Sequence, residues 1–261
     1  MSDLSVAVSD LRLSMGRHEI LKGVSLDAPR GSFLCIVGRN GAGKSTILKC
    51  IAGVIKGAGE IRIDGRNVSS LSPPERSRLV AYVPQSAPSD VPYTAREFLE
   101  MSRYPWRSIS NPSEDRRAID DAVDLTGLSD LMDRRLSTLS GGERQKVMIA
   151  SAIAQGSGVM LMDEPTTYLD YAHQAETMSV MERVNRERGV TIIAVTHDVN
   201  LAVLMSARVV AVSGGLVCWS GSPSKLTSPD MLRDIFGVDF ETCRSDGGLS
   251  VVVPVMRSVH E

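Results

Sequence analysis

The chain has 261 residues, 23 % of them charged, a formal net charge of −2 and four cysteines. A length of this order buries a sizeable core, as one large domain or two lobes, which excludes a disordered chain. Nothing in the charge balance marks the chain as a whole as a nucleic-acid or an anionic-membrane binder, which leaves local patches open.

Cys35, Cys50, Cys218 and Cys243 form no CxxC pair, and the start "MSDLSVAVSD" lacks the basic and apolar blocks of a signal peptide. The expectation is a reducing cytoplasm and four unpaired thiols. The longest apolar runs, "GVMLM" and "TIIAV", fall far short of the roughly 20 residues that span a bilayer. Membrane association is therefore expected only through a partner.

In chain order, short β-rich segments come first: "SVAVSDLRLSM", "GVSLDAP", "GSFLCIV" and "GEIRIDG", the last closed by a glycine turn. They predict a small antiparallel region leaning on one buried strand. From about Ser86 the texture changes to prolines and polar residues, then to "TAREFLEMSRY" and "SEDRRAIDDAVDLTGLSDLM", where Ile119, Val123 and Leu128 suit helices. This stretch reads as a helical insert. After Gly158 the chain alternates: "VMLMDE" as strand, "AHQAETMSVMERVNRE" as helix, "VTIIAVTHD" as strand, "NLAVLMSA" as helix and "RVVAVSGGLVCWSG" as hairpin. Strands alternating with helices predict a largely parallel sheet covered on both faces, the α/β class. In the tail, "MLRDIFGVDFET" reads as a short helix and turn, and "SVVVPV" as an added strand.

Gly38 to Ser45, "GRNGAGKS", satisfies the GxxxxGK[ST] pattern between the apolar strand "FLCIV" and the helix "STILKCIAGV". Gly38, Gly41 and Gly43 let successive N–H groups point at one phosphate at the positive end of that helix. Lys44 would reach the β and γ phosphates of a nucleotide, and the Ser45 hydroxyl would ligate Mg²⁺. Arg39, Asn40, Ala42 and Thr46 complete the cradle. The strand "VMLMDEP" delivers two acids to the carboxyl end of the sheet, where doubly wound folds bind ligands. Alone, such a pair is ordinarily a solvated turn. Beside a phosphate loop, Asp163 becomes a Mg²⁺ ligand and Glu164 the group that polarises the attacking water.

A second anion-binding construction, "LSGGE", opens the helix that begins near residue 140. Together with the phosphate loop, the glutamine of "VPQ" (Gln85), "VMLMDE", "YLD" at 168–170 and "THD" with His197, it resembles the ordered motif series of the ATP-binding cassette ATPases. The resemblance covers roughly residues 3–225. It implies a P-loop NTPase core with a mainly parallel sheet, an N-terminal antiparallel β region and an inserted α-helical subdomain. The implied boundaries are 1–85 and 158–225 for the core, 86–157 for the helical signature subdomain and 226–261 for a C-terminal extension.

Family architecture pairs two cassettes head to tail, so Ser140, Gly141 and Gly142 would serve the ATP held by a second copy of the chain. With no lysine beside it, this helix end is a weak anion site alone and gains strength when another positive surface shares the phosphate. The resemblance further implies that Gln85 touches Mg²⁺ and the attacking water, that His197 contacts the γ-phosphate and that Asp170 crosses the dimer interface. Tyr168 departs from the small residues common at its position. Members usually place an aromatic in the first β region to stack on adenine, and here alignment puts Met15 there. A thioether offers less area than a ring.

Only about 115 residues separate Lys44 from the "VMLMDE" strand, too few for the long coiled coil of the repair ATPases, and a single cassette argues against the translation-type members. No fused membrane helices favours a separate importer subunit. "VPYTAREFLEMSRYPW", "LDYAHQ" and "GVTIIAVTHDVNLAVLMSARVVAVSGGLVCWSGSP" are similar to ATPase subunits of importers for iron siderophores, haem and cobalamin. That similarity implies two transmembrane permease subunits, an extracytoplasmic binding protein acting indirectly, no nucleic acid, and a peripheral place on the cytoplasmic face of the membrane. Val91, Tyr93, Phe98, Met101, Tyr104 and Trp106 would then line the groove for a permease helix, with Tyr104 and Trp106 expected to be exposed. The alternative is a soluble ATPase of the same family that remodels a protein or nucleic-acid complex.

Overall fold

The computed structural model describes residues 3–86, 91–244 and 250–255. Leu4–Met15 (β1) and His18–Pro29 (β2) form a long antiparallel hairpin. Phe33–Val37 (β3) runs into the phosphate loop and Lys44–Ile51 (α1). Ala58–Ile63 (β4) pairs with the free edge of β1, and Arg66–Asn67 (β5) pairs with β4, which completes an antiparallel sheet of order β2-β1-β4-β5. Pro73–Leu79 (α2) then leads into Val80–Val83 (β6).

Three helices follow: Ala95–Ser102 (α3), Pro112–Thr126 (α4) and Gly141–Gln155 (α5). Each opens with a reciprocal capping box, Thr94 with Glu97, Asn111 with Glu114 and Ser140 with Glu143, so orphan amides at each helix start are satisfied locally. Val159–Asp163 (β7), Tyr171–Arg188 (α6), Thr191–Val195 (β8), Val199–Met205 (α7) and the hairpin Arg208–Ser213 (β9) with Leu216–Gly221 (β10) complete the second sheet. Its order is β10-β9-β3-β8-β7-β6, parallel except for β10. Pro223–Leu226 (α8), Pro229–Phe236 (α9), Phe240–Arg244 (β11) and Ser250–Pro254 (β12) end the described chain.

Parallel strands buried on both faces divide the core in two. Along β3, Leu34 and Ile36 join the antiparallel sheet and α1 through Val8, Leu21, Ile47 and Leu48. Phe33, Cys35 and Val37 point the other way, into a larger cluster with Leu99, Leu136, Ile149, Met162 and Met181 that carries the helical region. All four thiols are unpaired, and burial pushes Cys35 up to about 12 and Cys50 up to about 11. No helix among the described residues is long and apolar enough to cross a membrane.

Three readings need correction. Trp106 is not an exposed anchor: its Nε1 donates to the Gln155 carbonyl at 2.7 Å, and the guanidinium groups of Arg78 and Arg103 lie over its ring. The short run "PPERSRL" is a helix that the sequence reading passed over, because its prolines stand at the first helical positions, where no N–H is needed. The turn read after α9 continues into β11, which pairs with β12 along its length. Asn200 holds that small sheet to α7, donating to Val252 O at 3.1 Å and accepting from Val252 N at 2.9 Å.

Candidate functional site: a phosphate-loop cleft

The loop after β3 depends on glycine at two places. A Cβ on Gly38, at φ 147°, would stand 2.1 Å from the Val212 carbonyl oxygen, and one on Gly43, at φ 98°, would stand 2.7 Å from Leu21. With those contacts avoided, the loop curls onto the start of α1, and the Lys44 ammonium donates to Gly38 O at 2.8 Å and Arg39 O at 3.0 Å. Lys44 is 6 % exposed. Burial pulls its pKa below the ordinary lysine value, against the opposing pull of Glu164 and Asp163.

Strand β7 brings Asp163 beside this loop. Ser45 Oγ donates to Asp163 Oδ1 at 2.7 Å, and the Tyr82 hydroxyl donates to Oδ2 at 3.1 Å. Burial, with the neighbouring carboxylate, pushes the Tyr82 phenol above its usual value. The next residue, Glu164, takes a left-handed φ of 49°, and its amide donates to Val195 O on β8 at 2.9 Å. A non-glycine residue in that region carries strain, here held by partners on both sides. Thr167 Oγ1 donates to Glu164 Oε2 at 2.7 Å, and His197 Nδ1 lies 2.8 Å from the same oxygen.

One cleft of about 610 Å³ gathers Asn40, Gly41, Gly43, Lys44, Ser45, Thr46, Gln85, Glu164 and His197, together with Ile20, Thr167 and Tyr168. Gly38, Arg39, Ala42 and Asp163 do not line it: Asp163 reaches the site through Ser45, and Arg39 is exposed with its guanidinium beside Gly237. Met15 does not line it; the side chain is 50 % exposed at the end of β1. Ile20 on β2 takes a place on the wall instead.

Ser140, Gly141, Gly142 and Asp170 also lie outside the cleft lining. They form a second assembly, in which Asp170 caps α6 by accepting from His173 N at 2.9 Å and holds His173 Nδ1 at 2.8 Å. The His173 ring in turn covers Gly142, where an added Cβ would come within 2.6 Å of it. At the start of α5, Glu143 Oε2 accepts from Ser140 N at 2.7 Å, and these Ser140 bonds, backbone first, hold the Glu143 carboxyl below the usual range. Its negative charge lies where the helix dipole favours it.

Sequence reasoning missed Tyr82, Thr167 and Ile20 as parts of the site. Thr167 carried a readable signal, standing three residues after Glu164 in a turn. Tyr82 carried none, since its contact depends on which strand lies beside β7.

The ABC transporter family model matches residues 21–167, more than half of the chain. The iron(3+)-hydroxamate import ATP-binding protein of Bacillus subtilis (strain 168) is 35 % identical over 240 residues, spanning 91 % of this chain and 89 % of the relative. The hemin import ATP-binding protein of Streptomyces coelicolor is 35 % identical over 238 residues, spanning 90 % and 84 %. Among solved structures, a dimeric ATP-binding cassette in a post-hydrolysis state with ADP and Pi superposes with a TM-score of 0.74 at 28 % identity, covering 84 % of this chain and 98 % of that one. With a phosphate loop, a strand-end acid pair and the "LSGGE" helix on this scaffold, the chain belongs to the ABC transporter family as an ATP-hydrolysing cassette.

Proposed function

We propose that the chain is the ATPase subunit of an importer for an iron chelate, haem, cobalamin or a related metal complex, working as a pair of copies on two transmembrane permease subunits. The observation that carries this reading is the convergence of Lys44, Ser45, Glu164 and His197 on one cleft. Iron chelate and haem follow the relatives named above, and cobalamin follows the motif resemblance. An extracytoplasmic binding protein would deliver the cargo, and the cassette would sit on the cytoplasmic face of the membrane through the permease.

Within the cleft, the loop amides and Lys44 bind the triphosphate, exchanging the carbonyl partners of Lys44 for phosphate oxygens. The Ser45 hydroxyl and Asp163 carboxylate, 2.7 Å apart, are hard oxygen donors that suit a small divalent cation, and Gln85 at the cleft wall can add a third. A Mg²⁺ ion held by these oxygens would supply neutralisation of the phosphate charge that develops in the reaction. Glu164 offers its Oε1 oxygen to the attacking water, because Oε2 is taken by Thr167 and His197. His197, 55 % exposed, keeps that contact through Nδ1 and has its second ring nitrogen, Nε2, to offer the γ-phosphate.

Residues 86–157 would act as the signature subdomain, 1–85 and 158–225 as the nucleotide-binding core, and 226–261 as a C-terminal extension. Ser140, Gly141 and Gly142 would complete the partner's site, with Asp170 at the interface. Tyr93, Met101 and Tyr104 are exposed, at 39 %, 50 % and 66 %, beside a cleft of about 430 Å³. They are the proposed seat of the permease helix, whereas Val91 and Phe98 pack against the core. Affinity capture of the tagged chain from detergent-solubilised membranes tests the reading. A polytopic membrane protein in near-equal amount is the expected result. Capture from the soluble fraction alone, with no membrane partner, would transfer the assignment to a soluble remodelling ATPase.

A further inference from the structure

We infer that Tyr82 is a positioning residue for the magnesium carboxylate: its hydroxyl fixes one oxygen of Asp163 so that the other faces Ser45 and the cation bound with ATP. The inference rests on the nucleotide-site reading above. β6 is the edge strand beside β7, and Tyr82 pairs with Leu161. Side chains repeat every second residue along a strand, so Tyr82, Leu161 and Asp163 share one face of the sheet.

The Tyr82 ring packs against the cluster that contains Val80, Val159 and Leu161, which sets where its hydroxyl emerges. An aspartate carboxylate turns about its last bond unless both oxygens are held. Here each oxygen accepts one hydroxyl, Ser45 on Oδ1 at 2.7 Å and Tyr82 on Oδ2 at 3.1 Å. Asp163 is 3 % exposed, so few waters are available to replace a lost donor. Outer partners that orient a ligating carboxylate act on metal affinity rather than on nucleotide affinity alone. Gln85 stands three residues beyond Tyr82, so the same hydrogen bond ties the segment that presents Gln85 to the cation site.

The test is Mg²⁺ titration of fluorescent-ATP binding to the full chain, comparing wild type with Tyr82→Phe, which keeps the ring and removes only the donor. The expected result is unchanged affinity in EDTA and a Mg²⁺ concentration for half-maximal affinity gain raised on the order of tenfold. An unchanged Mg²⁺ requirement overturns the proposal. Equal loss of affinity with and without Mg²⁺ also overturns it, because that pattern marks a packing role alone. If Tyr82→Phe does not fold, Tyr82→Met, which fills the same apolar wall without a hydroxyl, is read by the same criteria. A wild-type chain that binds no fluorescent ATP would remove the nucleotide-site reading, whereas one that binds it and gains nothing from Mg²⁺ would overturn this proposal alone.

Discussion

His197 Nδ1 and Glu164 Oε2 lie 2.8 Å apart, and Thr167 Oγ1 reaches that same carboxylate oxygen at 2.7 Å. Two partners on Oε2 leave Oε1 as the oxygen that can take a proton from water. Glu164→Gln is therefore expected to lower the ATPase rate by about 10²–10⁴-fold, the range for loss of a general base, while ATP binding persists. Light scattering under saturating Mg-ATP should show the trapped dimer. Near-normal turnover in this variant would remove Glu164 from the proposed role.

Thr167→Ala removes one of those two partners without touching the loop that binds phosphate. The expected effect is a lower kcat with little change in KM, as the carboxylate is freed to turn. A KM change alone in steady-state kinetics would argue that Thr167 acts on binding.

Met101 and Tyr104 are exposed, whereas Trp106 is engaged with Gln155, Arg78 and Arg103. Met101→Ala with Tyr104→Ala should cut permease association and leave the melting temperature of the isolated cassette nearly unchanged. Trp106→Ala should instead cost about 2 kcal/mol of stability, from lost packing and one hydrogen bond. Denaturation curves and co-purification yields, measured on both variants, separate the two effects.

Glu143 gains hydrogen bonds from Ser140 on folding, which lower its pKa in the folded chain. A carboxyl whose folded value is depressed stabilises the chain fully above its unfolded value of about 4.3, and the contribution is lost as pH falls through the folded value. The stability difference between wild type and Glu143→Gln should therefore be constant from neutral pH down to about pH 5 and shrink below about pH 4.3. Urea denaturation at a series of pH values measures it. A difference that persists unchanged into acid would assign the effect to geometry alone.

Met15→Tyr tests the adenine contact that the family resemblance implies. A ring in place of the half-exposed thioether should tighten ATP binding, measured by calorimetry, through added stacking area. Equal or weaker affinity would place adenine elsewhere, with Ile20 on the cleft wall as the adjacent apolar surface.

The α/β architecture was readable because the strands of the parallel sheet are short, largely apolar runs separated by polar stretches of helical length. The phosphate loop was readable because pattern and flanking elements agree. Tyr82 was not, since a contact with Asp163 needs β6 to lie beside β7, and four residues of edge strand carry little periodic signal. Trp106 was misread because Pro105 suggests an open loop, whereas the segment forms a 3-10 turn with the guanidinium groups of Arg78 and Arg103 over the Trp106 ring. The His173 ring over Gly142 was not legible either, since it depends on the start of α6 approaching the start of α5 in space.

In the proposed assembly two chains share each ATP, with the phosphate loop from one and the Ser140 helix from the other. ATPase complementation between Lys44→Ala and Ser140→Arg chains tests this sharing. Each variant should be inactive alone and mixing should restore activity, because the mixed pair contains one site with both Lys44 and Ser140 intact. No restoration in mixtures whose hetero-dimers are verified by cross-linking, or full activity of Ser140→Arg by itself, would contradict it.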